Sequence, residues 1–312
     1  MSLDNPVPSA SFGGGPRVPA PTSSGSLWAA PFAAVTVDHR EGIAVAVTQV
    51  AQDHAGPEWV RTDQVGPDRV RFVEQLSAPK LIALHLVPGA LVTVAFVLFA
   101  PLVKAAGFPP IAALLAAIML VLVPVELGIV LRAVRRDGGT AALPYRQRLG
   151  LREWFWLIPV LIVAAFVGFG VHRLGEPWLI AHLFGGLPEW FVSPIPLGGI
   201  HDYSASSWIV TLCAFFLLNG VIGPVVEELY FRGFLLPRME RLGRWGPLVN
   251  ATLFSVYHFW SPWQVVARIV GIGPMVYAVR WKRNVYLGMA VHCALNTLAV
   301  ALTAGSVLSL IS

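Results

Sequence analysis

The chain of 312 residues is 56% hydrophobic and 12% charged, with a mean hydropathy of +0.67. Soluble domains carry about 25% charged residues, so this composition excludes an ordinary water-soluble fold and points to a polytopic helical membrane protein. The net charge of +5 does not indicate a nucleic-acid partner, because the basic residues gather at the ends of apolar runs, where membrane orientation signals belong.

Residues 1–27 are rich in Pro, Gly and Ser and are expected to be disordered. They lack the basic stretch and apolar core of a secretory signal peptide. Residues 28–79 mix short apolar pieces with charges, which leaves open a small amphipathic helix or a strand or two. The chain is thus divided into an N-terminal cytoplasmic segment, 1–79, largely disordered, and a transmembrane domain, 80–312. Seven spans are predicted, at 81–103, 110–132, 154–172, 208–236, 247–260, 264–280 and 285–304. Each is close to the ~20 residues that cross the hydrocarbon core, or somewhat shorter. Segment 176–192, with Pro177, Trp178, His182, Pro188, Glu189 and Trp190, reads as an interfacial piece rather than a span. The fold class is therefore all-α, a polytopic transmembrane bundle of seven or eight helices.

Alternate loops are basic. The loop after the second span carries Arg132, Arg135, Arg136, Arg146, Arg148 and Arg152, that after the fourth Arg238, Arg241 and Arg244, and that after the sixth Arg280, Lys282 and Arg283. The positive-inside rule then puts the amino terminus in the cytoplasm and the carboxyl terminus outside. Trp154, Trp156, Trp208, Trp245, Trp260, Trp263 and Trp281 fall near span ends, as an aromatic belt does. Cys213 and Cys293 lie in apolar runs and form neither a metal spacing nor a disulfide framework.

The fourth span holds the chemistry. Glu227 and Glu228 stand side by side in the run from Val225 to Gly233, and each charged residue at a helix centre costs about 2.5–3.5 kcal/mol on insertion scales. Gly220, Gly223 and Pro224 precede them and predict an interruption, with a helix restarting at Pro224 beside a wet pocket. A simple proline kink is the plainer alternative. Glu228 and Arg232 are four apart, share a face and can pair. Glu227 is then free to act as a general base on water. His258 is expected near mid-bilayer in the fifth span, either functional or packed on a carbonyl. His292 and Asn296 share one face of the last span and can present two donors to an oxyanion, or act as interhelical glue.

These residues resemble a known family, the CAAX-protease and bacteriocin-processing (CPBP) intramembrane endopeptidases. Its three ordered motifs are Glu-Glu-x-x-x-Arg, Phe-x-x-x-His and His-x-x-x-Asn, matched here by Glu227 to Arg232, Phe254 to His258 and His292 to Asn296. The resemblance spans about residues 208–304. It implies that Glu227 is the general base and that His258 helps to hold the attacking water. It further implies that His292 and Asn296 stabilise the oxyanion while Glu228 and Arg232 support Glu227. A zinc site built on His258, His292 and a glutamate is conceivable, but the His-Glu-x-x-His signature is missing and the metal-free reading, with no cofactor, is preferred.

Other embedded polar groups carry less weight. His85 and Lys104 lie near the two ends of the first span, and Lys104 can snorkel to the interface. Glu126 is expected to be solvated near the cytoplasmic surface, Asn219 lies near the site, and Arg268 either counters a carboxylate or marks a loop end. The expected function is an intramembrane endopeptidase in a multi-pass membrane protein, of the cytoplasmic membrane if bacterial. Its partners are the lipid bilayer and a peptide or lipidated protein substrate, with no nucleic acid. Two rivals are a non-catalytic scaffold or immunity-type protein and a proton-coupled transporter, the latter drawing on the interrupted helix.

Overall fold

Lipid offers no hydrogen-bond partner, so apolar runs of this length satisfy their backbone within helices. The computed structural model describes residues 59–62, 71–137 and 142–312. The expected disorder of residues 1–27 lies outside the described residues. Of the segment 28–79, strands β1 (Trp59–Thr62) and β2 (Arg71–Glu74) pair antiparallel, with Trp59 opposite Glu74.

Eight α-helical elements follow among the described residues. They are α1 (Ala78–Ala105), α2 (Ile111–Arg136), α3 (Leu151–Leu183), the short α4 (Glu189–Val192), α5 (205–235), α6 (Gly246–Tyr257), α7 (Val265–Lys282) and α8 (Val285–Ile311). Five apolar stretches are long enough to cross a membrane: α1, α2, α3, α8 and the run Ala205–Tyr257 that contains α5 and α6. The predicted spans therefore map onto helices with ends shifted by a few residues, except α3, which runs on well past residue 172. Taken alone, α6 has 12 residues and rises only about 18 Å against a core of about 30 Å. The 18-residue α7 carries Arg268, Arg280 and Lys282. These two helices form a hairpin closed at its basic end by Arg280, which donates to the carbonyl of Gly243 and pairs with Glu240 at 2.7 Å.

Two expectations are corrected. Segment 176–192 is not one interfacial piece, since residues 176–183 complete α3 and only 189–192 form a separate short helix. Pro177 does not end α3, because the preceding Glu176 is anchored by Gln264 at 3.0 Å and Arg173 at 3.0 Å, which holds that turn helical. Nor is the fourth span broken at Gly220–Pro224. The backbone stays helical through Ile222 and Gly223 but widens into π-turns over Phe215–Ile222 and Glu228–Leu235. A proline lacks an N–H and its ring crowds the carbonyl four residues back; a π-turn opens room for that ring without ending the helix. The same device precedes Pro124, where Ile118–Leu122 is π-helical.

The core is aromatic and dense, with Phe96, Tyr230, Phe231, Phe254, Tyr257 and Met275 almost fully enclosed. The outward faces are the reverse of a soluble protein's: Leu98, Leu102, Val171, Leu174 and Leu302 are each more than 60% exposed, the surface lipid covers. Where α3 crosses α7, a Cβ at Gly168 would stand 2.9 Å from the Gly271 backbone, so only glycine allows that approach.

Candidate active site

Three helices deliver the site. The α-helical turn Gly223–Glu227 between the two π segments of α5 presents Glu227, Glu228 opens the second π segment, His258 caps α6, and His292 lies two turns into α8. All are buried: Glu228 and Arg232 have no exposure, while Glu227, His258 and His292 keep between 5 and 9%. The structure thus brings Glu227, Glu228, Arg232, His258 and His292 together in one enclosure with a narrow opening.

The two glutamates differ in what they touch. Glu228 Oε1 is 3.0 Å from Arg232 Nη1 and accepts from His292 Nδ1 at 3.0 Å. The Arg232 contact is close enough for an ion pair but lacks hydrogen-bond alignment. The guanidinium is also stabilised from below by the Phe254 ring, 4.0 Å from its carbon to the centroid. Glu228 Oε2 faces Gly288 of α8 so closely that any Cβ there would overlap it. Glu227 makes no short contact of this kind. Its Oε1 is 3.9 Å from His258 Nε2 and its Oε2 is 3.9 Å from His292 Nε2.

Both imidazoles are oriented by their other nitrogen. His258 Nδ1 is 2.8 Å from the Phe254 carbonyl, which only accepts, so Nδ1 carries the proton. In the neutral ring Nε2 then turns its lone pair toward Glu227. His292 Nδ1–H similarly donates to the Glu228 carboxylate.

Asn296 sits one turn beyond His292, where its Nδ2 donates to the Asn219 carbonyl at 2.9 Å. Thr297 Oγ1 donates to the Gly220 carbonyl at 3.3 Å, and Cys293 Sγ lies 3.8 Å from the Val221 carbonyl. These consecutive carbonyls belong to the π-turn before Pro224, so α8 side chains cover backbone that the widened helix frees. Asn219 thus contributes through its carbonyl, which its residue type could not have announced.

Of the lesser candidates, Arg268 clamps the turn after His258 by donating to Ser261 Oγ at 2.6 Å, Ser261 O at 3.2 Å and Gln264 Oε1 at 2.9 Å. His85 bridges the Leu81 carbonyl at 2.8 Å and Asn250 at 3.1 Å, a packing role. Lys104 is exposed at the end of α1. The expectation for Glu126 is overturned: it is wholly buried and accepts from the Tyr257 phenol at 2.7 Å. The six-residue distance to Arg132 suggested solvation, but α2 is packed against α5 at this level. Its place inside the run Val123-Pro124-Val125-Glu126-Leu127 was the signal available.

Among the described residues, no three or more His, Cys, Asp and Glu side chains are placed to ligate one ion. No curated protein and no solved structure matches the chain. Residues 209–298, which hold every motif position, match the family model described as Rce1-like, type II CAAX prenyl endopeptidase. The chain is thus an integral membrane protein that over this segment, less than a third of its length, is of the Rce1-like type within the CPBP proteases.

Proposed function

We propose that the protein is an intramembrane endopeptidase that hydrolyses a peptide bond with water activated by Glu227. The observation that carries this reading is the pair of 3.9 Å gaps from the Glu227 carboxylate to two imidazole Nε2 atoms. An oxygen about 2.8 Å from both Glu227 Oε1 and His258 Nε2 would bridge that distance at an angle of about 90°, suited to one water donating to both. Glu227 takes a proton as the water oxygen attacks the scissile carbonyl carbon. The C–N bond then breaks, and the same carboxyl returns the proton to the leaving amine.

The oxyanion falls to His292 and Asn296. With Nδ1–H given to Glu228, donation from His292 Nε2 requires the imidazolium, whose charge the Glu228 carboxylate balances. Asn296 Nδ2 keeps a second hydrogen beyond the one given to Asn219. Arg232 and Glu228 hold this half of the site. No step requires a metal.

The substrate in this reading is a membrane-associated or lipidated peptide or protein. The basic loops lie in the cytoplasm with the amino terminus, and in a bacterium the membrane is the cytoplasmic one. The transporter alternative loses its main support, because α5 is continuous rather than broken. The test is cleavage by the purified protein in detergent, read by mass spectrometry, over prenylated, unprenylated and membrane-anchored peptides. Glu227→Gln is expected to abolish cleavage and a chelator to leave it intact. A folded wild type that cleaves none of them would favour the scaffold.

A further inference from the structure

The proposed chemistry leaves one buried acid without a task. Glu126 of α2 has no exposure; its Oε1 accepts from the Tyr257 phenol at 2.7 Å and its Oε2 has no partner. An ionisable group kept at such depth is costly and calls for a role beyond packing. Tyr257 is the last residue of α6 and immediately precedes His258. Its ring meets the His258 imidazole edge-on, with centroids 4.9 Å apart, and meets Phe231 the same way at 4.9 Å. His258 is further enclosed by Phe254 at 4.7 Å and Trp260 at 4.7 Å.

These aromatic walls fill space but set direction weakly. The directional bonds are two, Nδ1 to the Phe254 carbonyl within the imidazole's own helix, and the Glu126–Tyr257 bond to a different helix. Behind Tyr257, its carbonyl and ring lie against Gly89 of α1 so tightly that a Cβ there would overlap both. Tyr257 is therefore backed by α1 and tied from α2, and its ring forms one wall of the imidazole.

We propose that Glu126, acting through the Tyr257 phenol, holds the His258 imidazole in its orientation toward Glu227 and is a positioning residue of the site. Only the kinetic arm of the test rests on the peptidase reading. The full-length protein, labelled with 15N-histidine, is placed in nanodiscs, and the His258 imidazole resonances are identified by their loss in His258→Gln. In Tyr257→Phe and Glu126→Ala these resonances are expected to shift or broaden as the ring loses its fixed orientation. Glu126→Gln keeps an acceptor oxygen and is expected to retain the wild-type pattern.

In parallel, hydrolysis of an internally quenched peptide, with a farnesylated cysteine fourth from its carboxyl end, is expected to show kcat lowered about 10- to 100-fold in Tyr257→Phe and Glu126→Ala. KM should be unchanged and the rate restored in Glu126→Gln. His258 resonances identical to wild type in both disrupting variants would overturn the proposal, as would a Glu126→Gln as perturbed as Glu126→Ala. If Glu126→Ala does not fold, Tyr257→Phe decides. Perturbed spectra with a wild type that leaves the peptide intact would uphold the positioning and defeat the peptidase reading.

Discussion

Glu227 and Glu228 are neighbours in sequence, yet replacing each by glutamine is expected to damage different properties. Glu228 is fully enclosed with Arg232 Nη1 and His292 Nδ1 each 3.0 Å from one of its oxygens, and Arg232 is itself fully enclosed. In Glu228→Gln the guanidinium keeps its charge with no counter-charge in contact. Breaking a buried pair in this way costs about 3–5 kcal/mol. Glu227 has its two basic neighbours at 3.9 Å, beyond hydrogen-bond distance. Glutamine there breaks no direct bond, and stability should stay within about 1 kcal/mol of wild type. Loss of the base should lower kcat by about 10²–10⁴-fold. The assay pairs denaturant unfolding in a single detergent, followed by tryptophan fluorescence, with peptide hydrolysis on the same preparations. Equal destabilisation by the two substitutions, or a Glu228→Gln as stable as wild type, would refute the division of roles.

Gly288→Ala should act like a mild Glu228 variant, since the added methyl displaces Glu228 Oε2; overpacking of this kind costs about 1–3 kcal/mol, and the check is unfolding together with hydrolysis. Glu153→Gln removes the 2.6 Å contact with Lys282 near the start of α3, but a half-exposed pair of this sort is worth about 0–1 kcal/mol, so melting temperature should barely move. Tyr145 donates to Glu240 at 2.6 Å in the loop before α3. Burial first, and the Glu240 charge second, push its phenol above the ordinary range. A phenol held higher in the folded state adds stability that is complete below the unfolded value of about 10 and is lost as pH rises further. Unfolding measured from pH 8 upward should therefore show a decline beginning near pH 10 that is smaller in Tyr145→Phe.

Much of this architecture was legible because apolar runs bounded by charges have few alternatives in a membrane. The helical segments appear where hydropathy puts them, and the five converging residues Glu227, Glu228, Arg232, His258 and His292 were all marked by being polar in apolar surroundings. What escaped was set by tertiary contact. Glu126 is buried because Tyr257, 131 residues away, reaches it, and nothing near Glu126 in the chain encodes that meeting. The π-turns escaped for a different reason: glycine and proline signal disturbance of a helix, but whether it breaks or widens depends on donors supplied by α8. Asn296 shows the same limit, since its spacing from His292 put it on the right face without revealing its bond to the Asn219 carbonyl.

The widened turns of α5 have a consequence for how this site can vary. A π-turn holds more chain per turn than a regular α-helix, so it behaves as an insertion stored inside the helix. Deleting one residue between Phe215 and Ile222 would let the ladder close normally, and everything beyond it would rotate by about 100°. Glu227 and Glu228 would then swing away from His258 and His292 with neither glutamate altered. Length in that stretch is thus as much a determinant of the site as identity, and homologous chains that differ there by one residue would be expected to aim their carboxylates elsewhere.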